Sequence, residues 1–182
     1  MLTAAAAGGL EVRADDGGGV TIRGAFPYGS PAKLAPGRYE TFAKGALEPQ
    51  EDVYLLSQHQ WATPLASTRA GTLELRQEAD ALTFEARLTP DVAGTSHGRD
   101  ALALIRGQLA TGVSPGFRVP SGGERVERRD DGLMRTVTRA ELHELSVVTK
   151  PAFPQAQVEA RGWQPETTEG ARTSFPPQWR WR

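Results

Sequence analysis

Ser114 stands between two glycines in Thr111-Gly-Val-Ser-Pro-Gly-Phe117, and the chain holds three histidines (His59, His97, His143) and no cysteine. A serine becomes a nucleophile only when a base takes its proton and nearby donors receive the charge of the oxyanion. Glycine neighbours let a carbonyl group approach closely because they carry no Cβ. His59, in Leu55-Leu-Ser-Gln-His-Gln60, ends an apolar run, where a ring can be held and still reach solvent. Glu144 lies in a second apolar run, Glu141-Leu-His-Glu-Leu-Ser-Val-Val148, and can hold an imidazole in its useful tautomer. The order along the chain is therefore base, serine, acid.

The segment Gly112-Val-Ser-Pro-Gly116 also spells G-x-S-x-G, the pattern of the nucleophile elbow. That turn needs a strand before the serine, a helix after it and a backbone N–H on the next residue. Here a helical pattern precedes Ser114, an extended one follows, and Pro115 has no N–H. The elbow is rejected, which leaves a small serine esterase as a minor alternative. Near Glu144, Glu141 and His143 compete for the third role. Alternation on a strand puts His143 on the face opposite Glu144, whereas Ser146 shares its face and is a rival nucleophile flanked by Leu145 and Val147. His97 reads as a loop residue just before a helix. The three histidines lack the short spacings of a zinc site, so no metal and no cofactor is expected.

The elements that must position these residues are mostly strands. Val20–Phe26, Arg38–Phe42 and Asp52–Leu56 read as extended runs. In the clearest hairpin, Leu73 and Leu75 precede a turn, and Leu82, Phe84, Ala86 and Leu88 then alternate with Thr83, Glu85 and Arg87. One helix is predicted from Arg99 to Ala110, with Leu102, Ile105 and Leu109 on its apolar stripe and Gly112 where it stops. Val113–Val119, Leu133–Thr138 and Leu142–Val148 complete a mainly β, α+β pattern. Residues 1–19 read as a frayed leader, 20–160 as one domain, and 161–182 as a disordered tail containing Trp163, Trp179 and Trp181, with a docking peptide as its alternative.

At 182 residues the chain suits one domain with a real core, and its formal net charge of -1 gives no basic field for nucleic acid. No apolar run reaches the roughly 18 residues of a membrane span. The absence of cysteine excludes a thiol nucleophile and disulfides.

From about Val20 to Val158 the chain resembles the prohead (procapsid maturation) serine proteases of tailed phages. The resemblance rests on Ile22-Arg-Gly-Ala-Phe26, Phe42-Ala-Lys-Gly-Ala-Leu47, the run ending at His59, Thr111-Gly-Val-Ser114 with Gly116-Phe117, and Glu144-Leu-Ser-Val-Val148 followed by Pro151-Ala152. It implies a compact, barrel-like fold similar to that of herpesvirus assembly proteases, with Ser114 as nucleophile, His59 as base and Glu144 as third member. His143 is the substitute, because the related herpesvirus enzymes use a second histidine there. Two departures stand out: Gln60 follows the histidine where members often carry aspartate, and Pro115 replaces a small or branched apolar residue. The second leaves Gly116 or another loop to supply oxyanion donors. The resemblance further implies major capsid protein and scaffold segments as partners and substrates, and action in the host cytoplasm inside the assembling procapsid. Self-cleavage and homo-oligomers are also expected, with no membrane or direct nucleic-acid role. An inactive scaffold or assembly protein on the same fold is the alternative from a different class.

Overall fold

The alternating run from Ala81 builds the first of three sheets in the computed structural model, which describes residues 10–15, 18–149 and 151. Strands β1 (Glu11–Ala14), β2 (Val20–Pro27), β7 (Leu73–Gln77) and β8 (Ala81–Leu88) form an antiparallel sheet in the order β1-β2-β8-β7. The second sheet joins β3 (Ala32–Ala35), β4 (Arg38–Phe42), β10 (Glu124–Arg129) and β11 (Gly132–Val137) in the order β10-β11-β4-β3. The third joins β5 (Leu47–Ser57), β6 (Gln60–Ser67), β9 (Gly112–Arg118) and β12 (Ala140–Val148) in the order β6-β5-β12-β9. Its central pair, β5 and β12, runs parallel, as does β4 with β11 in the second sheet. Helices α1 (Pro90–Gly94) and α2 (Ser96–Arg106) lie between β8 and β9.

One apolar core joins the sheets, with Ile22, Phe26, Phe42, Leu47, Leu55, Leu82, Leu142 and Leu145 all essentially excluded from water. Three rings, one from each sheet, run through it edge to face: Phe26 meets Phe42 at 5.1 Å between centroids, and Phe42 meets Phe117 at 4.9 Å. Each such pair is worth about 0.5–1.5 kcal/mol beyond its buried area.

The mainly β, α+β expectation matches the molecule, but the barrel does not form: each sheet is open, with two edge strands. The helix begins earlier and ends earlier than its apolar spacing suggests. Thr95 caps it by accepting the Gly98 N–H, so that His97 lies in its first turn rather than in a loop. Gly107 caps the other end, Gln108 follows with φ 55°, and Leu109 is left 63% exposed, outside the stripe assigned to it. Within the stretch read as a leader, residues 11–14 form β1 and pair with β2. The predicted tail, with its three tryptophans, lies outside the described residues. Among the described residues, no helix is long and apolar enough to cross a membrane.

Candidate active site

Two backbone irregularities in the third sheet bring His59 and Glu144 together. The first is a β-bulge in β12. Leu142 pairs with Phe117 and Glu144 with Gly116, so two steps on β12 span one on β9 and His143 is the extra residue. A bulge of this kind re-aims the side chains that follow it. Leu142, Leu145 and Val147 all enter the core, while Glu144 and Ser146 turn to the other face. The bulge also corrects the placement of His143: it lines the same cleft as Glu144 instead of the opposite face.

The second irregularity is the turn that carries His59. Ser57 pairs with Gln60, leaving Gln58 and His59 as a two-residue hairpin connection. Both have positive φ, 54° and 60°. Tight hairpins demand this left-handed backbone and usually meet it with Asn-Gly, so two side-chain-bearing residues here carry local strain. The turn is fastened to β12 by two hydrogen bonds: Gln58 N–H donates to the Val147 carbonyl at 3.0 Å and His59 N–H donates to Ser146 Oγ at 2.9 Å.

The His59 ring then meets the acid. Its Nδ1 lies 2.6 Å from Glu144 Oε1, and Ser146 Oγ donates to Glu144 Oε2 at 2.7 Å. Glu144 is an acceptor when ionised, so the shared proton belongs on Nδ1 and the lone pair on Nε2. Among the described residues Nε2 makes no hydrogen bond. The Glu144 side chain is 5% exposed and that of His59 26%. Gly116, opposite Glu144, makes room for the carboxylate: a Cβ there would lie 2.2 Å from Oε1 and 2.8 Å from Cδ.

Ser114 stands directly across from Ser146 in the antiparallel pairing of β9 and β12, and opposite residues share a face. Its hydroxyl is therefore on the side of the sheet that carries Glu144 and Ser146. The residue is 2% exposed, and among the described residues no hydrogen bond joins it to His59. Ser114 lies inside β9, with strand on both sides, so G-x-S-x-G is not an elbow here. His143, 45% exposed, has Nε2 3.9 Å from Glu141 Oε2, and among the described residues no hydrogen bond joins it to His59. His97 lies apart, with Nε2 3.2 Å from the Pro64 carbonyl.

His59 and Glu144 open onto a cleft of about 740 Å³ that is also lined by Trp61, Phe117, Pro120 and His143. Trp61 is 60% exposed and meets Tyr54 edge-on at 5.6 Å. It escaped the sequence reading because the strand β6 that carries it, interrupted by Pro64, has no clean alternation. At the cleft's other side Arg135 donates to Glu40 at 2.5 Å and to Glu124 at 2.6 Å. Burial pushes the Glu40 carboxyl above its ordinary range, against the pull of Arg135. Burial also works against the Arg135 charge, but Glu40 and then Glu124 outweigh it and hold that cation on. Among the described residues no group of three or more His, Asp and Glu side chains is placed to hold a metal ion.

No curated protein and no solved structure matches the chain. Over residues 9–170 the sequence matches the caudovirus prohead serine protease family, a span that takes in all twelve strands and both helices described above, and the chain belongs to that family.

Proposed function

We propose that the protein is an active serine endopeptidase of procapsid maturation in which Ser114, His59 and Glu144 act together. The observation that carries this reading is the 2.6 Å contact from His59 Nδ1 to a buried glutamate, which leaves Nε2 as the basic nitrogen. In the proposed reaction Ser114 Oγ attacks the scissile carbonyl carbon while Nε2 takes its proton. Nε2 then returns that proton to the leaving amine as the C–N bond breaks, and water releases the acyl group by the same route. Glu144 orients the ring and balances the imidazolium throughout. Pro115 has no N–H to offer, so the oxyanion falls to donors such as the Gly116 N–H. Coat-protein and scaffold segments are the proposed substrates, cut inside the procapsid, and the chain's own termini are further ones.

Co-expression with the matching coat protein tests the assignment. Intact mass should show shortened coat protein with the wild type and full-length coat protein with Ser114→Ala. Equal processing by both would overturn it. The burial of Ser114 favours a second reading, an inactive assembly protein on the same fold. A fluorophosphonate separates the two: it labels Ser114 in the active enzyme and leaves an inactive homologue untouched.

A further inference from the structure

Ser146 is fully buried, yet it is the single hydroxyl among the described residues that hydrogen-bonds to both His59 and Glu144. A hydroxyl has one proton to give. The His59 backbone N–H can only donate, so Ser146 Oγ receives it and turns its own proton to Glu144 Oε2. The direction of both bonds follows from the atoms themselves. The two oxygens of Glu144 are then each committed, Oε1 to the His59 ring and Oε2 to Ser146.

We infer that Ser146 is a positioning residue for this site, one that locks the carboxylate rotation and the height of the His59 turn in a single contact. The inference rests on the proposed catalytic use of His59 and Glu144. It assigns Ser146, a rival nucleophile on sequence grounds, to the support of the base instead. Its proton and a lone pair are both engaged, and it has no surface to offer a substrate.

The turn explains why such a contact is needed. Gln58 and His59 hold a left-handed backbone that side-chain-bearing residues adopt only under constraint. Among the described residues two backbone N–H groups fasten that turn to β12, and Ser146 accepts one of them; the third link is the His59 ring on Glu144, whose other oxygen Ser146 also holds. Without the hydroxyl, the turn keeps only the Gln58 N–H bond and the ring contact, and the Glu144 carboxylate loses the partner that fixes its second oxygen. The ring then samples both tautomers and loses its aim at β9, where Ser114 faces Ser146.

The test reads the imidazole directly. In a Ser114→Ala background, which prevents self-digestion, the Nδ1–H of His59 should give a far-downfield proton resonance of the kind a short histidine–carboxylate bond produces. Adding Ser146→Ala should remove it and shift the ring nitrogen signals toward a mixture of tautomers, with thermal unfolding confirming a folded chain. In the Ser114 enzyme, Ser146→Ala should lower kcat roughly 10²-fold, as a misplacement of about an ångström does, with KM little changed. Ser146→Thr, which restores the hydroxyl, should recover part of both signals. An unchanged resonance in the folded Ala variant overturns the inference, whatever happens to kcat. If the Ala variant does not fold, Ser146→Cys decides by the same resonance: the thiol is a weak donor, so full retention overturns the inference and weakening supports it. Failure of the protease reading looks different, as a wild type that neither cuts coat protein nor accepts fluorophosphonate while the resonance still depends on Ser146.

Discussion

Among the described residues two carboxylates are buried, Glu144 in the third sheet and Glu40 in the second; each lies on one strand of a central parallel pair and each has one nitrogenous partner there. Glu40 faces Arg135, a cation at every accessible pH, and the two are neighbours across β4 and β11. Glu144 faces His59, whose charge is optional, and its second oxygen faces a neutral hydroxyl. The first arrangement can only hold strands together. The second, in the proposed reaction, accepts a proton at Nε2 and returns it while Glu144 holds Nδ1. On the proposed function, whether a buried acid serves chemistry or architecture is decided here by its partner, not by its burial.

The sharpest way to break this comparison is to neutralise each acid in turn. Glu144→Gln keeps the shape but cannot balance an imidazolium and favours the wrong tautomer, so kcat should fall about 10³–10⁴-fold. Glu40→Gln should leave kcat within a few-fold. Peptide hydrolysis by the two purified variants checks both, and similar losses in each would erase the distinction.

Removing the permanent cation is the next largest effect. Arg135→Met leaves Glu40 buried without its partner at 2.5 Å, a change that typically costs about 3–5 kcal/mol. Chemical denaturation should show that loss, and hydrolysis per folded molecule should hardly change. A stability cost under about 1 kcal/mol would mean that the pair contributes little.

A third substitution sharpens the contrast by crowding only one of the acids. In Gly116→Ala the added Cβ meets Glu144 Oε1 at 2.2 Å, so the carboxylate must swing away from His59. Displacement of that size should cut kcat roughly 10²-fold, with about 1–3 kcal/mol of overpacking in the unfolding curve. Unaltered kinetics would show that the carboxylate position is not critical.

The alternation of Leu82, Phe84, Ala86 and Leu88 made β8 legible in the sequence because a strand's period is local, whereas the partnership of His59 with Glu144, 85 positions apart, was reached through the family resemblance. The bulge at His143 was not legible, since Leu-His-Glu-Leu-Ser-Val-Val fits an unbroken strand equally well and only pairing with the neighbouring strands β5 and β9 selects the register. For the same reason Ser146 looked like a competitor: a serine two positions after a glutamate signals a shared face and does not reveal what its proton does. The His59 turn was hidden because Gln58-His59 lacks the asparagine and glycine that normally announce a left-handed hairpin. Leu109 fitted a helical stripe by spacing, but Gly107 ends the helix before reaching it.

The smallest expected effect concerns pH and stability in the second sheet. Burial raises the Glu40 carboxyl above its unfolded value despite Arg135, so the folded chain binds that proton more readily than the unfolded one. The linkage then runs opposite to that of an ordinary paired acid: the favourable contribution is complete below the unfolded carboxylate value and is lost as pH rises through the raised one. Melting temperatures of the wild type and Glu40→Gln across that window should therefore converge or cross in a definite sense, the wild type losing ground to the variant as pH increases. The opposite trend, the wild type gaining on Glu40→Gln as pH rises, would mean that the attraction of Arg135 outweighs burial. Glu40 would then behave as an acid held ionised by its cation, and the pair would be a stabilising one at neutral pH.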